Sequence, residues 1–163
     1  MEIYLLRHGI AEDLPPGAKD SDRALTPEGK RKLREVLQFA KASDMAPDVI
    51  LTSPYLRARQ TAELAAQLLR YKSKPVECSS LVPGGDPREV WDDIRSYKEA
   101  RSLLLSSHEP LTGYLIGFLC NAPNLIVDVK KGSITRIDVE QLGLQPRGVL
   151  RWILTPKMAS VRL

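Results

Sequence analysis

The chain holds only two histidines, and each follows a short apolar run. Ile3-Tyr4-Leu5-Leu6 leads into Arg7-His8-Gly9, and Leu103-Leu104-Leu105 leads into Ser106-Ser107-His108. A third run, Val49-Ile50-Leu51, leads into Thr52-Ser53-Pro54, with Arg57 just beyond. Each feature alone has an ordinary explanation: a loop histidine, a solvated helix arginine, a turn glycine. If the three runs are strands of one parallel sheet, however, their carboxyl ends lie side by side, where open α/β sheets bind ligands. Two guanidiniums, two imidazoles and a helix N-terminus then converge, and that combination suits phosphate. Arginine forks grip phosphate oxygens with paired, charge-assisted hydrogen bonds. A helix opened at Ser53-Pro54 adds partial positive charge. Neighbouring cations disfavour protonation of His8, leaving a ring nitrogen free as a nucleophile at neutral pH. A backbone carbonyl on the other nitrogen would fix the tautomer.

The elements that must position these residues are legible. Unbroken apolar runs suit strands covered on both faces, as in a parallel sheet with helices on either side. Thr26-Pro27 reads as an N-cap with proline at the first helical position, followed by Leu33, Val36, Leu37 and Ala40 at helical spacing. Ser53-Pro54 repeats that start, with Ala58, Ala62, Ala65 and Leu69 as the stripe. Glu89–Tyr97 reads as a helix entered from the turn at Pro83-Gly84-Gly85-Asp86-Pro87, and Pro110–Cys120 as another. Ile137 and Val139, then Leu150, Trp152 and Leu154, alternate as two strands around a Gly/Pro-containing loop, an antiparallel C-terminal pair toward a sheet edge. The expected fold is a three-layer α/β/α sandwich with a mostly parallel central sheet, in a single domain over residues 1–163.

Composition narrows the function classes. A net charge of +4 is compatible with anionic substrates, but no basic run is long enough for a nucleic-acid stripe, so no nucleic-acid partner is expected. No apolar run is long enough to cross a bilayer, and no basic segment precedes an apolar one at the N-terminus. The expectation is a cytoplasmic protein with no membrane association. Cys78 and Cys120 form no C-x-x-C pair, and the cysteine and histidine spacing offers no metal site.

The residues also carry a family resemblance. Leu6-Arg7-His8-Gly9 resembles the R-H-G signature of the histidine phosphatase superfamily, which includes the phosphoglycerate mutases. Ser53-Pro54-Tyr55-Leu56-Arg57-Ala58-Arg59-Gln60-Thr61-Ala62 resembles its S-P-x-x-R-A-x-Q-T-A segment. Arg23-Ala24-Leu25-Thr26-Pro27-Glu28-Gly29, then Ser107-His108-Glu109-Pro110-Leu111-Thr112-Gly113-Tyr114-Leu115, and finally Trp152-Ile153-Leu154-Thr155-Pro156 are most similar to the SixA type of phosphohistidine phosphatase. The resemblance spans essentially the whole chain in order. It implies a phosphate pocket of Arg7, Arg57 and His108 around His8, with His8 phosphorylated during turnover and neither metal nor organic cofactor.

The chain departs from the family pattern at the general acid, where mutases and many relatives carry a glutamate. Here that region reads Leu81-Val82-Pro83-Gly84-Gly85-Asp86. Asp86 and Glu109 are the candidates; their ordinary readings are a turn or N-cap residue and a first-turn carboxylate. Arg23 either touches phosphate or braces the loop before Thr26. Three functions follow. The first is hydrolysis of phosphohistidine on a protein partner, since imidazole leaves more easily than an alkoxide and the short chain leaves little material for a lid. The second is a phosphatase or mutase acting on a small phosphoester. The third is a non-catalytic phosphoprotein-binding module, which would not need His8.

Overall fold

The structure, a computed structural model, describes residues 1–161. Strand β1 (Glu2–Arg7) is followed by α1 (Pro27–Ala42), β2 (Val49–Thr52), α2 (Leu56–Leu68), a two-residue β3 (Val76–Glu77) and α3 (Pro87–Ser96). Then come β4 (Ser102–Ser107), α4 (Leu111–Leu119), β5 (Ile134–Val139), β6 (Gly148–Leu154) and a short α5 (Pro156–Ala159). The six strands form one sheet in the order β3-β2-β4-β1-β5-β6. The first four are mutually parallel, and β5 runs antiparallel to both β1 and β6.

Period-two alternation along β1 explains the layers. Ile3 and Leu5 face one core with Val90, Trp91 and Ile94 of α3 and Leu111, Leu115 and Leu119 of α4. Tyr4 and Leu6 face the other, with Leu33, Val36, Leu37 and Ala40 of α1 and Ala62 and Ala65 of α2. Helices therefore cover both faces of a mostly parallel sheet, with the antiparallel pair β5-β6 at its edge. Arg136 and Ile137 flank a register shift, so the β5-β6 alternation is broken by a bulge.

Two helix starts differ in their origin. Thr26 caps α1 as its sequence predicts, its Oγ1 accepting from Gly29 N at 2.9 Å. Helix α2, by contrast, begins at Leu56 with Tyr55 at the N-cap and no side-chain cap, two residues later than the Ser53-Pro54 start. Ser53 Oγ instead accepts from Tyr55 N at 3.3 Å, ahead of the helix, and lies 2.8 Å from His108 Nε2, a partner 55 residues away. Leu69, read as part of the α2 stripe, is the C-cap. Strand β3 had no readable pattern, being two exposed residues paired with the end of β2. Among the described residues no helix is long and apolar enough to cross a membrane.

Candidate active site

Register places the expected residues together. Arg7 and Ser107 are paired at the ends of β1 and β4, and His8 N donates to Ser107 O at 2.9 Å. His8 and His108 follow directly from these adjacent strands, with ring centroids 5.0 Å apart. Arg57, in the first turn of α2, donates from Nε to His8 Nε2 at 3.2 Å. All three are buried, with Arg57 5%, His8 6% and His108 1% exposed. Thr61 fixes this arrangement: its hydroxyl donates to Arg57 O one turn back and accepts from Gly9 N, which ties α2 to the peptide beside His8.

His8 Nδ1 lies 2.7 Å from Gly9 O. A carbonyl only accepts, so this nitrogen carries the proton and Nε2 presents its lone pair. Burial pushes His8 down to about 4 against the weaker pull of the Gly9 carbonyl, and the Arg57, Arg7 and Lys131 charges lower it further. His108 is lowered to about 3, mainly by burial and then by His8 and the arginines. Both rings are neutral at pH 7. Arg7 donates from Nη1 to Val129 O at 2.5 Å, while its Nε is buried without a protein partner. His108 Nδ1 is likewise buried and unpartnered. Arg7 Nε is thus a buried donor with no protein partner, and the role of His108 Nδ1 depends on the tautomer of its ring.

The glycine beside His8 has a different reason from the sharp turn suggested by its position. A Cβ on Gly9 would lie 2.6 Å from Leu33 Cδ1, so its constraint is the packing of the loop against α1.

The remaining candidates fall elsewhere or in supporting roles. Arg23 donates from Nε to Glu12 O at 2.6 Å and from Nη1 to Asp20 Oδ1 at 3.0 Å, bracing its loop. Asp86 is exposed and caps α3, its Oδ1 accepting from Arg88 N at 2.8 Å. Glu109 accepts from Gly113 N at 2.8 Å. Burial raises its carboxyl above the ordinary range, partly offset by Gly113 and Arg7.

Sequence reasoning missed Asp20. Its carboxylate and carbonyl both contact Arg57, and its chain segment is held near the pocket by the Ala11–Leu25 bridge and by Leu25 N on Gln60 Oε1. It also missed the stretch from Val129 to Ser133, which returns beside β1 from far along the chain. Gly132 N donates to Arg7 O and His8 O, and Arg7 N donates to Ser133 O. Neither segment has a local pattern marking it as part of a site. Among the described residues no group of three or more His, Cys, Asp or Glu side chains is placed to hold a metal.

Comparison with known proteins places this geometry in a family. Residues 3–79 match the histidine phosphatase superfamily (branch 1). The chain is 30% identical over 167 residues to phosphohistidine phosphatase SixA of Escherichia coli (strain K12), covering 98% of this chain and 99% of that protein. The chain belongs to the histidine phosphatase superfamily. An uncharacterized protein of Picosynechococcus sp. (strain ATCC 27264 / PCC 7002 / PR-6) is a further relative, 48% identical over 115 residues and 69% of each chain. The solved structure of the protein histidine phosphatase SixA complexed with tungstate superposes with a TM-score of 0.82 at 28% identity, covering 96% of this chain and 98% of that one. Membership in the histidine phosphatase superfamily assigns the chain to a class of phosphatase hydrolases.

Proposed function

We propose that the protein is a phosphohistidine phosphatase that acts on a protein substrate, without a metal, through a phosphorylated His8. The observation that carries this reading is the state of His8: neutral, with Nδ1–H on the Gly9 carbonyl and Nε2 unprotonated, its lone pair held by the Arg57 Nε–H until a phosphoryl group takes that place. In the first step the Nε2 lone pair forms a bond to phosphorus. The bond from phosphorus to the substrate's imidazole nitrogen breaks, and the departing ring keeps the electron pair and takes up a proton. Water then attacks phosphorus and gives up a proton, the N–P bond to His8 breaks, and phosphate is released. Arg7, Arg57 and His108 surround the phosphoryl oxygens in both steps, where fixed donors in a water-poor site stabilise developing charge.

The protein-substrate reading is supported by what residues 69–101 do. The helix in that segment, α3, packs Val90, Trp91 and Ile94 into the core. It is therefore committed to the sheet, whereas binding residues are disproportionately carried on loops. The 30% identity to a phosphohistidine phosphatase supports the same choice. A small phosphoester is the second reading. Glu109 favours it, because a half-buried carboxyl near Arg7 with a raised pKa holds its proton more readily for an alkoxide leaving group.

The deciding measurement is kcat/KM of the wild-type chain on a phosphohistidine peptide and on 3-phosphoglycerate. A strong preference for the peptide is expected. Preference for the phosphoester, lost in Glu109→Gln, would establish the second reading, and phosphate binding without turnover of either would leave a binding module.

A further inference from the structure

Ser53 is fully buried between β2 and α2. Its Oγ has two neighbours: the Tyr55 backbone N–H at 3.3 Å and His108 Nε2 at 2.8 Å. The hydroxyl has one proton to give, and neutral His108 has one proton on one of its two nitrogens. Two arrangements satisfy the short contact. If His108 Nε2–H donates to Ser53, the serine proton has no acceptor among the described residues. His108 Nδ1 is then a bare, buried lone pair in a pocket built for an anion, which it would repel. If Ser53 donates to Nε2, its oxygen accepts from Tyr55 and its proton is used. The one unfilled group is then an Nδ1–H donor, which an anionic oxygen satisfies. Buried polar groups are paired in nearly all native structures, so the second arrangement is preferred.

We propose that Ser53 is a positioning residue that fixes His108 as the Nδ1–H tautomer, making that ring a neutral hydrogen-bond donor to the phosphoryl group. The inference rests on the phosphate-pocket reading above. It gives the two imidazoles one tautomer and opposite tasks. The Gly9 carbonyl accepts from His8 Nδ1–H, so His8 offers the lone pair of Nε2. The Ser53 hydroxyl donates to His108 Nε2, so His108 offers the proton of Nδ1. A carbonyl and a hydroxyl, placed on opposite nitrogens, distinguish a nucleophile from a donor.

Long-range proton–nitrogen correlation spectra of the ¹⁵N-labelled full chain test this directly, because its two histidines give four ring nitrogens in all. Both rings are expected as Nδ1–H in the free protein, and saturating inorganic phosphate should shift the His108 Nδ1–H signal. In Ser53→Ala, His108 should move toward Nε2–H while His8 stays as it was, with kcat falling about tenfold or more and KM changing little. His108 found as Nε2–H in the wild type, no response of Nδ1–H to phosphate, or an unchanged His108 in Ser53→Ala would each overturn the proposal. So would equal movement of both rings, which marks a general structural loss. The wild-type spectrum needs no variant, so the test survives a Ser53→Ala chain that fails to fold. It needs no turnover either: the expected tautomers in a catalytically silent chain would count against the phosphatase reading and leave this one standing.

Discussion

Asp20 engages both terminal nitrogens of Arg57, accepting from Nη1 on its backbone carbonyl at 2.8 Å and from Nη2 on its carboxylate at 3.0 Å. The third nitrogen, Nε, faces His8. The guanidinium fork that would take phosphoryl oxygens is therefore filled by a resident anion, which Arg23 also holds at 3.0 Å. Hydrogen bonds from Arg23 and Arg57 keep the Asp20 carboxyl below its ordinary range, so it is ionised at neutral pH. A bound phosphoryl group must compete with it.

Removing that charge should strengthen anion binding. Asp20→Asn is expected to lower the inhibition constant of inorganic phosphate by about three- to tenfold, a modest gain because the carboxylate is partly solvated. Weaker phosphate binding in the variant would instead identify Asp20 as the brace that keeps Arg57 in place.

Arg57→Lys keeps the charge and loses the planar fork. Loss of one such transition-state donor typically costs about 10²–10³ in rate, and kcat/KM should fall by that order. A loss of only a few-fold would put Arg57 outside the reacting centre.

Labelled phosphate from the substrate should appear on the protein during turnover, be labile in acid and stable in alkali, and be absent from His8→Ala. Full turnover by His8→Ala would remove the covalent step altogether.

The depressed histidines set the pH dependence. His8, held near 4, stays neutral as pH falls from about 7 to about 5, so kcat/KM should be level there and fall only as the ring protonates. A limb near 6.5, the ordinary imidazole value, would show that the nucleophile is not shielded. Stability has its own slope. Below about 6.5 the unfolded chain binds protons that the folded rings refuse. The contribution is complete above that pH and is lost progressively as pH falls toward 4. Denaturant midpoints at neutral and mildly acidic pH should differ accordingly, and less so in His108→Gln.

Asp86→Asn should scarcely slow hydrolysis of a phosphohistidine peptide, since the side chain caps α3 and imidazole needs little help to leave. An asparagine cap preserves the helix start, so stability should also hold. General-acid assistance is typically worth about 10²–10⁴ in rate, and a loss of that size would make Asp86 the acid.

Five of the six strands, and the positions of Arg7, His8, Arg57 and His108 at or beyond strand ends, were legible because apolar runs and the residues that follow them are local signals. Ile3–Leu6 and Leu103–Leu105 show buried strands by composition alone, and the parallel pairing that follows aligns Arg7 with Ser107 and so brings His8 beside His108. Asp20 was not legible, because its contact with Arg57 is made across 37 positions by a loop whose path no periodicity encodes. The late start of α2 was hidden for a related reason. Ser53-Pro54 is a good N-terminal signal locally, and the competing partner, His108, lies 55 residues away.

The position of β1 in the sheet has a consequence for how the candidate site is assembled. It lies between β4 and β5, and its last residue donates from Arg7 N to Ser133 O and from its side chain to Val129 O. Pairings between such distant parts of a chain carry a loop-closure cost. A nascent chain stopped near residue 120 would already contain Arg7, His8, Arg57 and His108, yet Arg7 would have neither anchor and β1 an open edge. Both anchors of Arg7 and the antiparallel partner of β1 therefore come from residues 129–139, beyond all four of the candidate site side chains in sequence.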